Sequence, residues 1–160
     1  MKSEDIKLLY RYNEWADERI LDKATELTHE QITAPNVFGW GSLFGALAHI
    51  LHAEYYWRSR LSGEAGGDEP REGDFADLEA LRARWQTEHA ALRQYIGGLT
   101  DEQVCGDISS GSGQRPLWHF LLHLYTHGVQ HRSECAAMLT EFGQSPGLMD
   151  FSVFLSDTGK

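Results

Sequence analysis

Residues 120–142, FLLHLYTHGVQHRSECAAMLTEF, decide the fold of this chain. Apolar side chains recur there every three or four positions, and His127 and His131 fall on the same stripe. This period is typical of an amphipathic α-helix that buries one face. Pro116 suits the first helical position, and Gly143 ends the pattern. The sequence therefore predicts one long helix from about residue 116 to residue 142.

Three other segments show the same helical period, residues 3–27, 42–61 and 74–96. Ser3 and Asp74 are the predicted N-caps of the first and the third of them. Four amphipathic helices of about 20 residues can bury their apolar stripes against one another. The chain lacks the strand-like alternation of a sheet protein. We therefore predict an all-α protein built as a four-helix bundle.

The connections between these helices carry weaker signals. Thr28–Gln31 and Thr100–Gln103 have the spacing of a capping box, which predicts short helical turns. Residues 62–73 are rich in glycine and charge and indicate a solvated connection. Residues 105–115 are expected to form a loop or a short extended excursion, and the apolar tail at 145–155 has no clear period.

Composition narrows the class of protein. The chain has 160 residues, 41% of them hydrophobic, which fits one domain over residues 1–160. Its 14 basic and 24 acidic residues give a net charge of −10 without a basic cluster, so nucleic acid and membrane surfaces are poor partners. No apolar run reaches the ~18–20 residues of a membrane span. The acidic start lacks a signal core, and two cysteines cannot build a disulfide framework. We expect a cytoplasmic protein.

The histidines carry the chemical information. His127 and His131 are four residues apart, so a helix places them one turn apart and only about 40° around its axis. Neutral imidazole is a good ligand for Zn²⁺, Ni²⁺, Cu²⁺ or Fe²⁺. A third ligand must come from another helix, and the segment HILHAEYYW offers His49 and His52. Spacing alone leaves a second interpretation open, in which these histidines are ordinary hydrogen-bonded or partly exposed residues.

Four segments together resemble a known family. They are YNEWADERIL at 12–21, HILHAEYYW at 49–57, LLHLYTHGVQHRSE at 121–134 and GQSPGLMDF at 143–151. Their order and spacing resemble those of the DinB/YfiT-like proteins, small metal-binding four-helix bundles that are unrelated to the DNA polymerase of the same name. The resemblance covers nearly the whole chain. It implies an up-down-down-up bundle with a packed C-terminal tail.

The same resemblance implies a metal site. The three histidine ligands of the family fall on His49, His127 and His131 of this sequence. They would hold one divalent ion, with Zn or Ni expected, and water or substrate would occupy the remaining positions. The family usually has Arg-Gly-Gln after the last histidine, whereas this chain has Arg-Ser-Glu at 132–134. That departure concerns the surroundings of the ligands and leaves the three histidines in place.

Other residues are candidates for roles around the ligands. His123 lies one turn before His127 and is placed to orient a ligand, although a core or surface role is an alternative. Glu134 is placed to hydrogen-bond near the metal or to act as a base, and a solvated carboxylate is an equal alternative. Cys135 is interpreted as a small core residue. The candidates for the pocket wall are Asn13, Trp15 and Trp57, with core packing as the alternative for both tryptophans, and the candidates for binding an anionic group are Arg11 and Arg132.

The resemblance also implies a function. Relatives include S-transferases that use small thiols, which predicts metal-assisted attack of a thiolate on a small electrophile. A metal-dependent hydrolase is a second possibility, and a non-catalytic metal-binding stress-response protein, of the DNA damage-inducible kind, is a third. The apolar tail either covers the bundle or pairs across a two-fold axis. We expect a homodimer.

Overall fold

A computed structural model describes residues 1–64, 67–110 and 113–159. The bundle is formed by α1 (Ser3–Ala24), α3 (Leu43–Ser62), α4 (Leu78–Gly97) and α6 (Leu117–Glu141), and the shorter helices are α2 (His29–Ile32), α5 (Asp101–Cys105) and α7 (Phe151–Asp157). A short 3-10 turn covers Glu72–Asp74. The predicted all-α four-helix bundle is confirmed.

The four long helices form a ring in which each packs against two neighbours. α1 and α3 each contact both α4 and α6 and lie diagonally across the bundle from one another. One end of the core joins Leu21 near the end of α1 with Leu47 near the start of α3, Leu81 at the start of α4 and Leu139 at the end of α6. α1 and α6 therefore run in one direction and α3 and α4 in the other. This is the expected up-down-down-up order.

Capping residues define the helix ends. The side chain of Ser42 accepts a hydrogen bond from the Gly45 amide at 3.0 Å and begins α3. Asp77 accepts one from the Ala80 amide at 2.9 Å and begins α4. The predicted cap at Asp74 is wrong because that residue ends the 3-10 turn. The first helix ends at Ala24 rather than at residue 27.

Two segments without a helical period contain regular structure. β1 (Asp107–Ser110) pairs antiparallel with β2 (Gly113–Pro116), so the short extended excursion predicted over residues 105–115 is confirmed for its described part, and residues 111–112 lie outside the described residues. In the tail, α7 packs on α1, and Phe154 is buried against Tyr12 and Ala16. The tail thus covers the bundle. Trp15 joins this aromatic cluster, with its ring centroid 5.7 Å from that of Phe154. Among the described helices, none is both long and apolar enough to cross a membrane.

Candidate metal centre

Three histidine side chains meet where α3 packs against α6. His49 lies on α3, and His127 and His131 lie on successive turns of α6. The Nε2 atoms of His49 and His127 are 2.9 Å apart. Each histidine offers one ring nitrogen, and these three nitrogens all lie within 4.8 Å of one another. The structure thus brings together the three residues that the resemblance implies as ligands, and we call them the histidine trio.

The helix geometry explains this convergence. The rings of His127 and His131 project from one side of α6, and their centroids are 4.4 Å apart. α3 packs along that side, and the ring centroid of His49 lies 4.8 Å from that of His127 and 4.7 Å from that of His131. Two ligands therefore come from one local spacing, and the third comes from the packing of two helices.

Electrostatics favours neutral rings at His49 and His127. Burial, followed by the charges of the neighbouring imidazoles, lowers the pKa of His49 to about 3. The same two causes lower the pKa of His127 to about 4. At neutral pH both rings are uncharged, so each keeps a nitrogen lone pair for a metal. Nitrogen ligands bind zinc at about 2.0–2.1 Å and so lie about 3–4 Å from one another. The donor set and its spacing fit a divalent ion.

Glu134 orients one member of the trio. Its Oε2 atom lies 2.7 Å from Nδ1 of His131, and the histidine is buried. Nδ1 donates this hydrogen bond, which leaves the lone pair of the ring on Nε2. A carboxylate in this position fixes both the tautomer and the ring plane of a histidine ligand. Of the three interpretations of Glu134, this geometry matches the hydrogen bond beside a candidate ligand.

Trp40 covers one side of the trio. Its indole stacks on the ring of His49, with centroids 3.4 Å apart and planes inclined by 13°. Its edge faces His131 at a centroid distance of 5.9 Å. Trp40 was not among the residues singled out from the sequence. The available signal was an aromatic side chain between Gly39 and Gly41, directly before the helix that carries His49.

His123 and Trp57 extend the same face toward the start of α6. His123 is exposed, and its ring centroid lies 6.1 Å from that of His127. Trp57 packs edge-on against His123 at 5.3 Å. Together they form an aromatic wall beyond His127, on the side away from the end of α6. His52 instead makes a hydrogen bond to the Pro70 carbonyl at 3.1 Å, as expected for a residue outside the trio.

A second charged cluster lies inside the bundle. Asp17, Glu54 and His89 are buried, and their donor and acceptor atoms lie within 4.8 Å of one another. The Asn13 amide donates to Glu54 at 2.6 Å. The Arg132 guanidinium donates to Asn13 at 2.7 Å and to Asp17 at 2.8 Å. The positive charge of Arg132 therefore stands beside the carboxylate of Asp17 and offsets its charge. We call these five residues the buried network.

The structure places three predicted pocket residues elsewhere. Asn13 and Arg132 belong to the buried network, and Arg132 is 2% exposed. Arg132 follows His131 by one residue, so it points about 100° away around α6, toward α1. Arg11 is exposed and lines a cleft of about 260 Å³ between α1 and α4, the helix pair opposite α3 and α6. Neither guanidinium is free to bind an anion at the trio. Cys135 is a buried core residue, as predicted.

Comparison with known proteins gives a concordant result. The DinB family model matches residues 1–158 of the chain. Protein DinB of Bacillus subtilis (strain 168) is 24% identical over 157 residues, which are 92% of this chain and 91% of that protein. The family match spans all four helices of the bundle and the whole histidine trio.

Proposed function

The chain belongs to the DinB family, and from that membership we propose that it is a divalent-metal-dependent enzyme that transfers a small thiol to an electrophile. The observation that supports the proposal most directly is the histidine trio, in which the Nε2 atoms of His49 and His127 are 2.9 Å apart. A structural zinc normally has four protein ligands, whereas three histidines are a common catalytic set with an open position. The histidine trio offers three protein ligands and so matches the catalytic set.

The reaction would form one sulfur–carbon bond. The thiol loses its proton, its sulfur attacks the electrophilic carbon, and the leaving group departs with the bonding electron pair and takes up a proton. A bound divalent ion lowers the pKa of a coordinated thiol and so favours the thiolate at neutral pH. His49, His127 and His131 would hold that ion. Glu134 keeps His131 in the tautomer that a ligand requires.

The surroundings of the trio favour an apolar electrophile. Trp57 and His123 continue the α3–α6 face beyond His127 and offer flat aromatic surface. The two arginines considered as anchors for an anionic thiol are engaged elsewhere or lie on another face. We therefore propose that recognition at this face depends more on aromatic contact than on a guanidinium.

Metal content tests the site. Single replacements of His49, His127 and His131 by Ala should each lower the metal bound per chain after dialysis, and circular dichroism should show a retained helical fold. His119→Ala is the matched control, because three steps of four residues place His119 about 120° around α6 from His131. Full metal content in the His127→Ala and His131→Ala proteins would refute the site.

Thiol chemistry tests the reaction. Metal-loaded protein should consume a small thiol and an aromatic electrophile together, and the His127→Ala variant should not. Release of a hydrolysis product without thiol consumption would instead favour a metal-dependent hydrolase. Turnover of neither kind, with metal bound tightly by wild type and by His119→Ala, would favour the non-catalytic metal-binding role.

A further inference from the structure

The three histidines differ in how their rings are held. A histidine ligand needs its ring plane fixed, because the lone pair lies in that plane, and a hydrogen bond to the second ring nitrogen usually does this. His131 has such a bond from Nδ1 to Glu134. His127 has a buried Nδ1 with no hydrogen-bond partner among the described residues. Within the same residues, the hydrogen bond found for His49 is the one that joins it to His127.

We propose that Trp40 is a positioning residue that fixes the ring plane of His49 by stacking. The two rings are nearly parallel, at 13°, with centroids 3.4 Å apart. Such contact prevents the imidazole from rotating about its Cβ–Cγ bond without losing the stack. Trp40 thus does for His49 what Glu134 does for His131. This role rests on the proposed metal site.

The loop that carries Trp40 is itself held by local hydrogen bonds. The Asn36 amide donates to the Gly41 carbonyl at 3.0 Å, and the Ser42 amide donates to the Trp40 carbonyl at 2.9 Å. Gly41 has a φ of +75°, which L side chains rarely adopt. A Cβ on Gly45 would lie 2.3 Å from the Trp40 carbonyl oxygen, so only glycine lets the loop approach α3 this closely. The backbone conformation of this loop therefore holds the indole against the ring of His49.

The stacked indole of Trp40 also closes one side of the site. Trp40 covers one face of His49 and lies edge-on to His131. His123 and Trp57 stand at the other side, beyond His127. Trp40, 42% exposed, therefore shields its own side of the trio.

The test compares three variants of the full chain. Trp40→Leu keeps an apolar side chain but removes the ring that stacks, and Trp40→Phe keeps a flat ring. Trp118→Phe is the matched control, because Trp118 also packs edge-on against a histidine, His119, on the same protein. Affinity for Zn²⁺ is measured by competition with a coloured chelator. Circular dichroism and thermal unfolding of the metal-free proteins report on the fold.

We expect Trp40→Leu to bind Zn²⁺ about 10-fold or more weakly, the effect typical of losing a contact that orients a ligand. Trp40→Phe should recover most of that loss, and Trp118→Phe should bind as wild type does. Equal affinity in wild type and Trp40→Leu would overturn the role of Trp40 and leave the metal site intact. A wild-type protein that binds no Zn²⁺ would overturn the metal site as well.

Fluorescence gives an independent readout of where the indole of Trp40 lies. Ni²⁺ quenches an indole that lies beside it, so titration of wild type with Ni²⁺ should remove part of the tryptophan emission. Trp118→Phe should lose the same component on titration, whereas Trp40→Phe should lack it. Quenching of equal size in Trp40→Phe and wild type would contradict the placement of the indole over the site.

Discussion

The carboxylate of Glu134 should strengthen metal binding through His131. The hydrogen bond of 2.7 Å fixes the tautomer, and the negative charge raises the basicity of the ring. We expect Glu134→Ala to weaken Zn²⁺ binding about 10–100-fold. Glu134→Gln keeps an acceptor oxygen and should weaken it less. Glu141→Gln, an exposed position on the same helix, should have no effect in the same chelator competition, and an unchanged affinity of Glu134→Ala would contradict the argument.

The predictability of each site residue depends on how local its geometry is. His127 and His131 could be paired from sequence because one helical turn fixes their relation. His49 needed the resemblance as well, since its position depends on how α3 packs against α6. Trp40 could not be placed, because its stacking on His49 depends on the path of a glycine-containing loop. Periodicity carries no information about such a path.

At the scale of the elements, Gly128 lets α6 approach α1. A Cβ on Gly128 would lie 2.8 Å from Nη1 of Arg132 and 2.9 Å from Oδ1 of Asn13. Gly128→Ala should therefore push Arg132 off its buried partners and lower the free energy of unfolding by about 1–3 kcal/mol. Gly97→Ala is the matched control, because a Cβ at this end of α4 meets nothing within 4 Å.

Urea unfolding distinguishes the two glycine variants. Gly97→Ala should leave the protein as stable as wild type or more stable by up to about 1 kcal/mol, because alanine has the higher helix propensity. A Gly128→Ala protein of wild-type stability would show that α1 and α6 can separate without loss.

The helices themselves were predictable, and their ends were less so. The continuous apolar period predicted the two ends of α6 to within one residue. The N-cap of α4, in contrast, was predicted at Asp74, whereas Asp77 provides it. Both are aspartates before an apolar run, and only the 3-10 turn at Glu72–Asp74 separates them. Asn13 and His89 fall at helical spacing among apolar residues of α1 and α4, and only the packed bundle reveals that they belong to a buried network.

At the scale of the whole molecule, the homodimer remains a prediction. The tail that motivated it is largely used within the chain, because α7 buries Phe154 against α1. Leu148 in the same tail is 69% exposed and is available for a contact between chains. Light scattering should give twice the chain mass of 18.1 kDa. A stable particle of the single-chain mass at micromolar concentration would refute the dimer.

The buried network connects all four helices of the bundle and makes stability depend on pH. Burial tends to lower the pKa of His89, but the hydrogen bond to Asp17 and the charges of Glu54 and Asp17 outweigh it and raise that pKa to about 9. Burial and the nearby charge of Asp17 raise the pKa of Glu54 to about 8. An unfolded chain releases these protons near pH 6.5 for histidine and below pH 5 for glutamate. The folded protein therefore holds more protons than the unfolded chain between about pH 6.5 and pH 9.

It follows that stability should fall as the pH rises through this range. The contribution of protonated His89 is complete below pH 6.5 and is lost as the pH passes its folded pKa of about 9. We expect the free energy of unfolding, measured with urea at pH 6, 7, 8 and 9, to decrease by about 3 kcal/mol from His89 alone. His89→Gln should be less stable at pH 6 and should show a shallower decrease, whereas His119→Gln should keep the wild-type slope. His49 and His127 do not contribute in this window, because their lowered pKa values affect stability only below about pH 6.5. A wild-type stability that is flat or rises from pH 6.5 to pH 9 would show that the network does not retain these protons.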